Sequence, residues 1–171
     1  MVNRPRLLIA SANPGKIAEY RSLLDGVDCD LVSMTDAGIN NDIEETGATY
    51  EENARIKATI CAETSGLVAL ADDSGLEVDA LGGEPGVYSA RYAGDNASDE
   101  QRVSYLLSKM EGIPPERRTA RFVCVIAIAV PGEDVTFCRG ECHGRIVEEP
   151  RGTLGFGYDP AFFIPDLGKT V

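Results

Sequence analysis

Three stretches of this chain carry residues able to do phosphate and metal chemistry. The first is Ser11-Ala12-Asn13-Pro14-Gly15-Lys16, which follows the apolar run Arg6–Ala10 and leads into a helical pattern. An apolar strand running into Gly-Lys and then a helix is the layout of a phosphate-binding loop, G-x-x-x-x-G-K-[ST]. Here Ala10 stands at the first glycine position and Ile17 at the hydroxyl position. Two readings stay open for the turn. It is a plain helix start with its lysine in water, or its backbone amides and the Lys16 ammonium bind phosphate. In a phosphate-binding loop the Ser/Thr hydroxyl holds Mg²⁺, and Ile17 has none. A triphosphate held at Lys16 would therefore need its Mg²⁺ held by other residues.

The carboxylates that could do so fall into two groups. Asp42, Glu44 and Glu45 lie on a polar segment ahead of a helix, and Asp72 and Asp73 lie where an apolar run ends. In open α/β sheets the crevice beyond the strand C-termini receives ligands. Neighbouring strand residues point to opposite faces, so one of Asp72 and Asp73 is expected to enter such a crevice. The alternative is that both are turn formers ahead of Ser74-Gly75, and that Glu44-Glu45 is solvated surface. The third stretch is Gly155-Phe156-Gly157-Tyr158-Asp159-Pro160. Its glycines permit close backbone approach, and Phe156 and Tyr158 offer flat faces to a purine base. Its alternative is a tight turn with two packing aromatics. Its glycine spacing does not follow a strand into a helix, which sets aside a dinucleotide-binding fingerprint. The single histidine, His143, sits in a turn-like Cys-His-Gly context that offers no triad partner. Cys138 and Cys142 beside it lack an evident fourth ligand for zinc.

The totals bound the reading. The chain has 171 residues, 43% hydrophobic and 26% charged, an ordinary composition for one domain. Its longest apolar run, Phe122–Val130, is roughly half the length a membrane helix needs. No secretory signal is recognised at the N-terminus, and the odd cysteine count of five argues for free thiols, so the cytoplasm is the expected location. A formal net charge of −12 argues against a nucleic-acid polymer as partner, though not against a single nucleotide delivered with Mg²⁺.

The elements that must position these residues follow from periodicity and caps. Arg6–Ala10 reads as a buried strand, with Asn13 as N-cap and Pro14 at the first helical position. Ile17, Tyr20 and Leu24 share one helical face. Leu31–Met34 is a candidate strand. Thr49 with Glu52 predicts a capping box, and Ala54, Ala58 and Cys61 continue an apolar stripe toward Gly66. Leu67–Ala71 and Leu76–Leu81 read as two short strands separated by Asp72–Gly75. Gly82–Gly94 reads as loop. Ser98 with Gln101 opens a helix carrying Val103, Leu106, Leu107 and Met110. Phe122–Val130 is a long strand, Val135–Cys142 a half-exposed one, and Gly152–Pro165 a loop. Strands alternate with helices early and dominate later, which predicts an α/β fold with a mixed sheet.

Taken together the stretches resemble a known family. Ser11-x-Asn13-x-x-Lys16-x-x-Glu19, Glu44-Glu45-Thr46-Gly47, Ala71-Asp72-Asp73-Ser74-Gly75-Leu76, Pro85–Tyr92 and Gly155–Phe162 occur in the order and spacing of the inosine/xanthosine triphosphate pyrophosphatases. The resemblance runs from Leu7 to Lys169. It implies a single two-lobed domain over residues 1–171, with a long mixed sheet, flanking helices and a central active-site cleft. It implies hydrolysis of ITP, dITP or XTP to the monophosphate and pyrophosphate with Mg²⁺, by a homodimer. Position by position, it places Ser11, Ala12, Asn13, Pro14, Gly15 and Lys16 in the phosphate-binding turn. Glu44 and Asp73 become metal ligands, with Asp73 also the proton acceptor and Lys16 part of the catalytic set. Ser74 becomes a substrate contact, and Phe156, Gly157, Tyr158 and Asp159 the base-side loop. In that family a further lysine and a Ser-His-Arg motif read the 6-oxo group of the purine. The present sequence stops at Val171, and a chain ending there is expected to separate ITP from ATP weakly. Two rival readings are a Maf-like pyrophosphatase acting on pyrimidine nucleotides and a nucleotide-binding protein without turnover.

Overall fold

The computed structural model describes residues 4–40, 43–153 and 155–171. Its elements are β1 (Arg6–Ile9), α1 (Pro14–Leu23), β2 (Asp30–Ser33), α2 (Tyr50–Ser65), β3 (Val68–Val78), α3 (Asp99–Lys109), β4 (Thr119–Ala129), β5 (Thr136–Ile146), β6 (Phe162–Ile164) and β7 (Lys169–Thr170). The strands form a seven-stranded sheet in the order β2-β1-β3-β4-β5-β6-β7. β1 pairs in parallel with both β2 and β3, with Leu8 opposite Val32 and Ala69. The helical crossovers α1 and α2 make that parallel pairing possible. β6 pairs antiparallel with β5 and with β7, so the sheet is mixed. No helix among the described residues is long and apolar enough to cross a membrane.

Caps fix where the helices begin. Asn13 is extended (φ −81°, ψ 115°), and its side chain accepts from the backbone of Gly15 and Lys16. Ser98 and Gln101 form a complete capping box at the start of α3. At α2 the Thr49 hydroxyl accepts from Glu52 N, but the Glu52 carboxylate reaches one residue further back, to Ala48 N at 2.7 Å. Gly66 ends α2 at φ 69°, a left-handed value that glycine adopts without Cβ strain.

The chain forms two compact units. One comprises residues up to Asp73 with Val125–Arg139, and the other Ser74–Cys124 with Gly140–Val171. In the first, Ile9, Tyr20 and Leu70 are buried, and Ile17, Leu24 and Leu31 pack against them, as the helical spacing of α1 predicts. In the second, Leu76, Val78, Val103, Leu106, Met110, Ile146 and Phe162 form the core.

Three readings of the sequence are corrected. The apolar runs around Asp72–Gly75 are not two strands but one eleven-residue strand, β3, which passes straight through them. Asp72 and Asp73 are therefore mid-strand, not turn formers at a strand end. Asp-Asp-Ser-Gly has turn chemistry, but Asp72 and Asp73 are only 3% and 5% exposed and receive side-chain partners from helices. Once those carboxylates are satisfied by tertiary contacts, nothing drives the chain to bend. The segment after Gly152 is likewise not all loop, since Phe162–Ile164 adds a short strand beside β5. Within the predicted loop Gly82–Gly94, residues Gly86–Arg91 form a 3₁₀ helix.

Candidate active site

The first unit brings together the lysine of the opening turn and the two aspartates of β3. Alternation along β3 sends the neighbouring carboxylates to different helices. Lys16 Nζ, from α1, donates to Asp72 Oδ2 at 2.6 Å, with the lysine side chain 20% exposed. Lys16 is thus not a solvated helix-start lysine; it is drawn onto the sheet by a buried carboxylate. The Asn53 carboxamide, from α2, donates to Asp73 Oδ2 at 3.0 Å. Burial pushes the Asp73 carboxyl above the ordinary carboxylate range. Lys57, the Asn53 amide and Lys16 act in the opposite direction, and Glu45 adds to the rise.

The acidic loop ahead of α2 is tied to the same place. Asn53 is fully buried, and its Oδ1 accepts from Gly47 N at 2.8 Å while its Nδ2 faces Asp73. Only one amide orientation satisfies both, because Gly47 offers a donor and Asp73 an acceptor. Gly47 has no space for a side chain: a Cβ there would lie 2.6 Å from Glu52 Cβ and 2.7 Å from Asn53 Oδ1. Glu45 is fixed by Lys57 Nζ at 2.6 Å. Glu44 is exposed. Asp42 lies outside the described residues. Asn53, Lys57 and the pairing role of Asp72 were not singled out from sequence. A helix-interior Asn immediately before Ala54, where the apolar stripe begins, was the available signal, since a polar residue there needs a buried partner.

The turn itself shows where phosphate would have to compete. Asn13 Oδ1 accepts from Gly15 N at 2.8 Å and Lys16 N at 3.3 Å, and Asn13 N donates to Ser11 Oγ at 3.2 Å. Pro14 has no N–H. The cap thus already uses the two helix-start amides that follow it. Ala12, Asn13 and Pro14 are exposed, whereas Ser11 and Gly15 are half-buried.

The base-side loop belongs to the second unit. Asp159 Oδ2 accepts from Phe156 N at 2.9 Å, and Gly157 N donates to Asp99 Oδ2 at 2.7 Å. Gly155 has φ +79°, and a Cβ there would overlap the Asp159 carboxylate. Phe156 is half-buried. Tyr158 is 4% exposed, and its hydroxyl donates to Ser89 O at 2.9 Å. Burial pushes that phenol up to about 12. The Tyr158 ring is therefore core and offers no face to a base, which leaves Phe156 as the available aromatic. Burial raises the Asp159 carboxyl, opposed by the Phe156 amide. Ser74, half-buried, follows Asp73 on β3. Cys138 and Cys142 are exposed, His143 is 74% exposed, and no three His, Cys, Asp or Glu residues gather as a metal cage among the described residues.

The family model of the Ham1 family matches residues 7–171. A dITP/XTP pyrophosphatase of Geobacter sulfurreducens is 52% identical over 166 residues, spanning 97% of this chain and 83% of that protein. One of Bacillus subtilis is 46% identical over 171 residues, spanning 100% of this chain and 86% of that protein. Among solved structures, a HAM1 protein from Coxiella burnetii superposes with a TM-score of 0.88 at 43% identity, covering 97% of this chain and 85% of that one. At these identities over nearly the whole chain, the protein belongs to the Ham1 family.

Proposed function

We propose that this chain is a nucleoside-triphosphate pyrophosphatase that hydrolyses the nonstandard purine nucleotides dITP, ITP and XTP to the monophosphate and pyrophosphate. Relatives at about half identity carry the name dITP/XTP pyrophosphatase. The observation that carries the reading is Asp73: a carboxylate 5% exposed, oriented by a fully buried Asn53, in a unit that also presents Lys16 and Lys57. Hydrolysis of a phosphoanhydride asks for positive charge on the phosphate oxygens and a positioned acceptor for the proton of the attacking water. Lys16 supplies the charge, and Asp72 fixes where its ammonium sits. Asp73, held in place by the Asn53 carboxamide, takes the proton. Ser11 and the Asn13–Lys16 turn hold the phosphate chain, with the Asn13 carboxamide giving up its hold on the amides as phosphate arrives. Ser74 contacts the substrate, Phe156 stacks on the base, and backbone groups of Gly157, Tyr158 and Asp159 orient it.

Mg²⁺ fits this donor set. A buried carboxylate whose charged form is disfavoured is relieved by a hard cation, and Mg²⁺ is commonly held by one or two carboxylates together with substrate phosphates. Asp73 and Glu44 would hold it, and Glu45 stands beside Glu44 in sequence. When bound, Mg²⁺ supplies charge neutralisation on the phosphates and lowers the pKa of bound water. We also read the protein as a cytoplasmic homodimer; light scattering of the purified chain at twice the monomer mass is the expected result.

The substrate class is tested by kcat/KM for dITP, ITP and XTP beside dTTP and UTP, with released pyrophosphate as readout. The purine set is expected to be preferred. A preference for dTTP or UTP would move the chain to the Maf-like reading.

A further inference from the structure

The base-side loop is held from outside by a residue that no phosphate or metal role involves. Gly155 and Gly157 both have positive φ, +79° and +60°. A loop of this composition is costly to order, so its preorganisation must come from contacts beyond its own backbone. Asp99, the first residue of α3, provides one. Its Oδ2 accepts from Gly157 N at 2.7 Å, the length of a charge-assisted bond. Its Oδ1 pairs with Arg102. The Arg102 guanidinium in turn donates to Ala90 O at 2.9 Å and Ala97 O at 2.5 Å. The same loop is anchored a second time where Tyr158 donates to Ser89 O, one residue before Ala90. Asp99 and Arg102 thus join the start of α3, the 3₁₀ helix Gly86–Arg91 and the loop that presents Phe156. The N-cap of α3 is Ser98, so holding the loop is separate from starting the helix.

We propose that Asp99 is a positioning residue for base affinity, acting through Gly157 to preset the loop that carries Phe156. This rests on the pyrophosphatase reading given above. Removing Asp99 should weaken the hold on the nucleoside end of the substrate and leave the phosphate end untouched, a split that general destabilisation would not produce.

The test compares wild type, Asp99→Ala and Asp99→Asn. KM for dITP is measured beside the inhibition constant of inorganic tripolyphosphate, which has phosphates and no base. Asp99→Ala is expected to raise KM for dITP about tenfold, with tripolyphosphate inhibition and kcat within about twofold of wild type. Asp99→Asn keeps an acceptor for Gly157 N and is expected to raise KM only about threefold. Should Asp99→Ala not fold, Asp99→Asn carries the comparison with the same split expected. An unchanged KM in the folded variants, or an equal loss of tripolyphosphate binding, overturns the proposal. A wild-type chain that does not turn over dITP would instead overturn the pyrophosphatase reading, and a normal wild type beside an unaffected variant would overturn only the role of Asp99.

Discussion

Asp73 is a carboxyl group 5% exposed in the middle of a strand, where burial holds its pKa above the usual range. The sign of its contribution to stability follows. With the folded pKa above the unfolded one, the folded chain binds the proton more tightly. Stability is full below the unfolded pKa and declines as pH rises through the folded pKa, so at neutral pH the ionised group is a net cost. Asp73→Asn keeps an acceptor for Asn53 and removes the charge. It is expected to abolish pyrophosphate release while raising Tm by about 2–4 °C, measured by calorimetry without nucleotide at pH 7. A fall in Tm would show that Asp73 is held by interactions that favour its charge. The sequence made Asp73 a candidate through its acidic neighbours and its motif. Asn53 and Lys57 escaped notice because their importance comes from what α2 faces, not from their own spacing.

At the scale of elements, the connection between the acidic loop and β3 rests on close approach at Gly47. A methyl group there would displace Asn53 or the backbone of α2. Gly47→Ala is expected to cut kcat/KM for dITP by at least about tenfold while costing about 1–3 kcal/mol in urea denaturation. Wild-type activity with that variant would detach the loop from catalysis. Arg118, which has no part in the proposed chemistry, is 5% exposed and donates to the carbonyls of Met110, Ile113, Ile146 and Val147, tying the end of α3 to β5. Arg118→Met would remove the side-chain donor from those carbonyls, of which Met110 O keeps the Ile113 amide as a backbone donor. It is expected to destabilise by about 3 kcal/mol with KM for dITP unchanged. Caps made α1 and α3 legible in sequence, because Asn13-Pro14 and Ser98-x-x-Gln101 act through local bonds alone. β3 was misread because its polar centre is satisfied by α1 and α2, contacts between residues 56 and 20 positions apart. The placement of Tyr158 in the core was hidden for the same reason, since its hydroxyl is satisfied by Ser89, 69 positions away.

Over the whole molecule, the order of strands and helices was legible as a mixed α/β sheet. The division into two compact units leaves no boundary along the sequence to read, since each of β3, β4 and β5 contributes residues to both. The net charge of −12 acts at this scale. An acidic chain repels a polyanion, while one nucleotide can still be met by a few local cations such as Lys16. The protein is expected to leave single-stranded DNA unshifted in a mobility assay at about 0.1 M salt. Retardation there would point to a polymer-binding surface that the charge argues against.

The roles proposed for Lys16, Asp73 and Phe156 all serve cleavage between the α- and β-phosphates of a nonstandard purine nucleotide. Its most direct test is the identity of the products when the purified chain is given dITP and Mg²⁺, quantified by chromatography. The expected products are dIMP and pyrophosphate in equal amounts, absent with Asp73→Asn. Orthophosphate with dIDP, or nucleotide bound in calorimetry with no product formed, would contradict it.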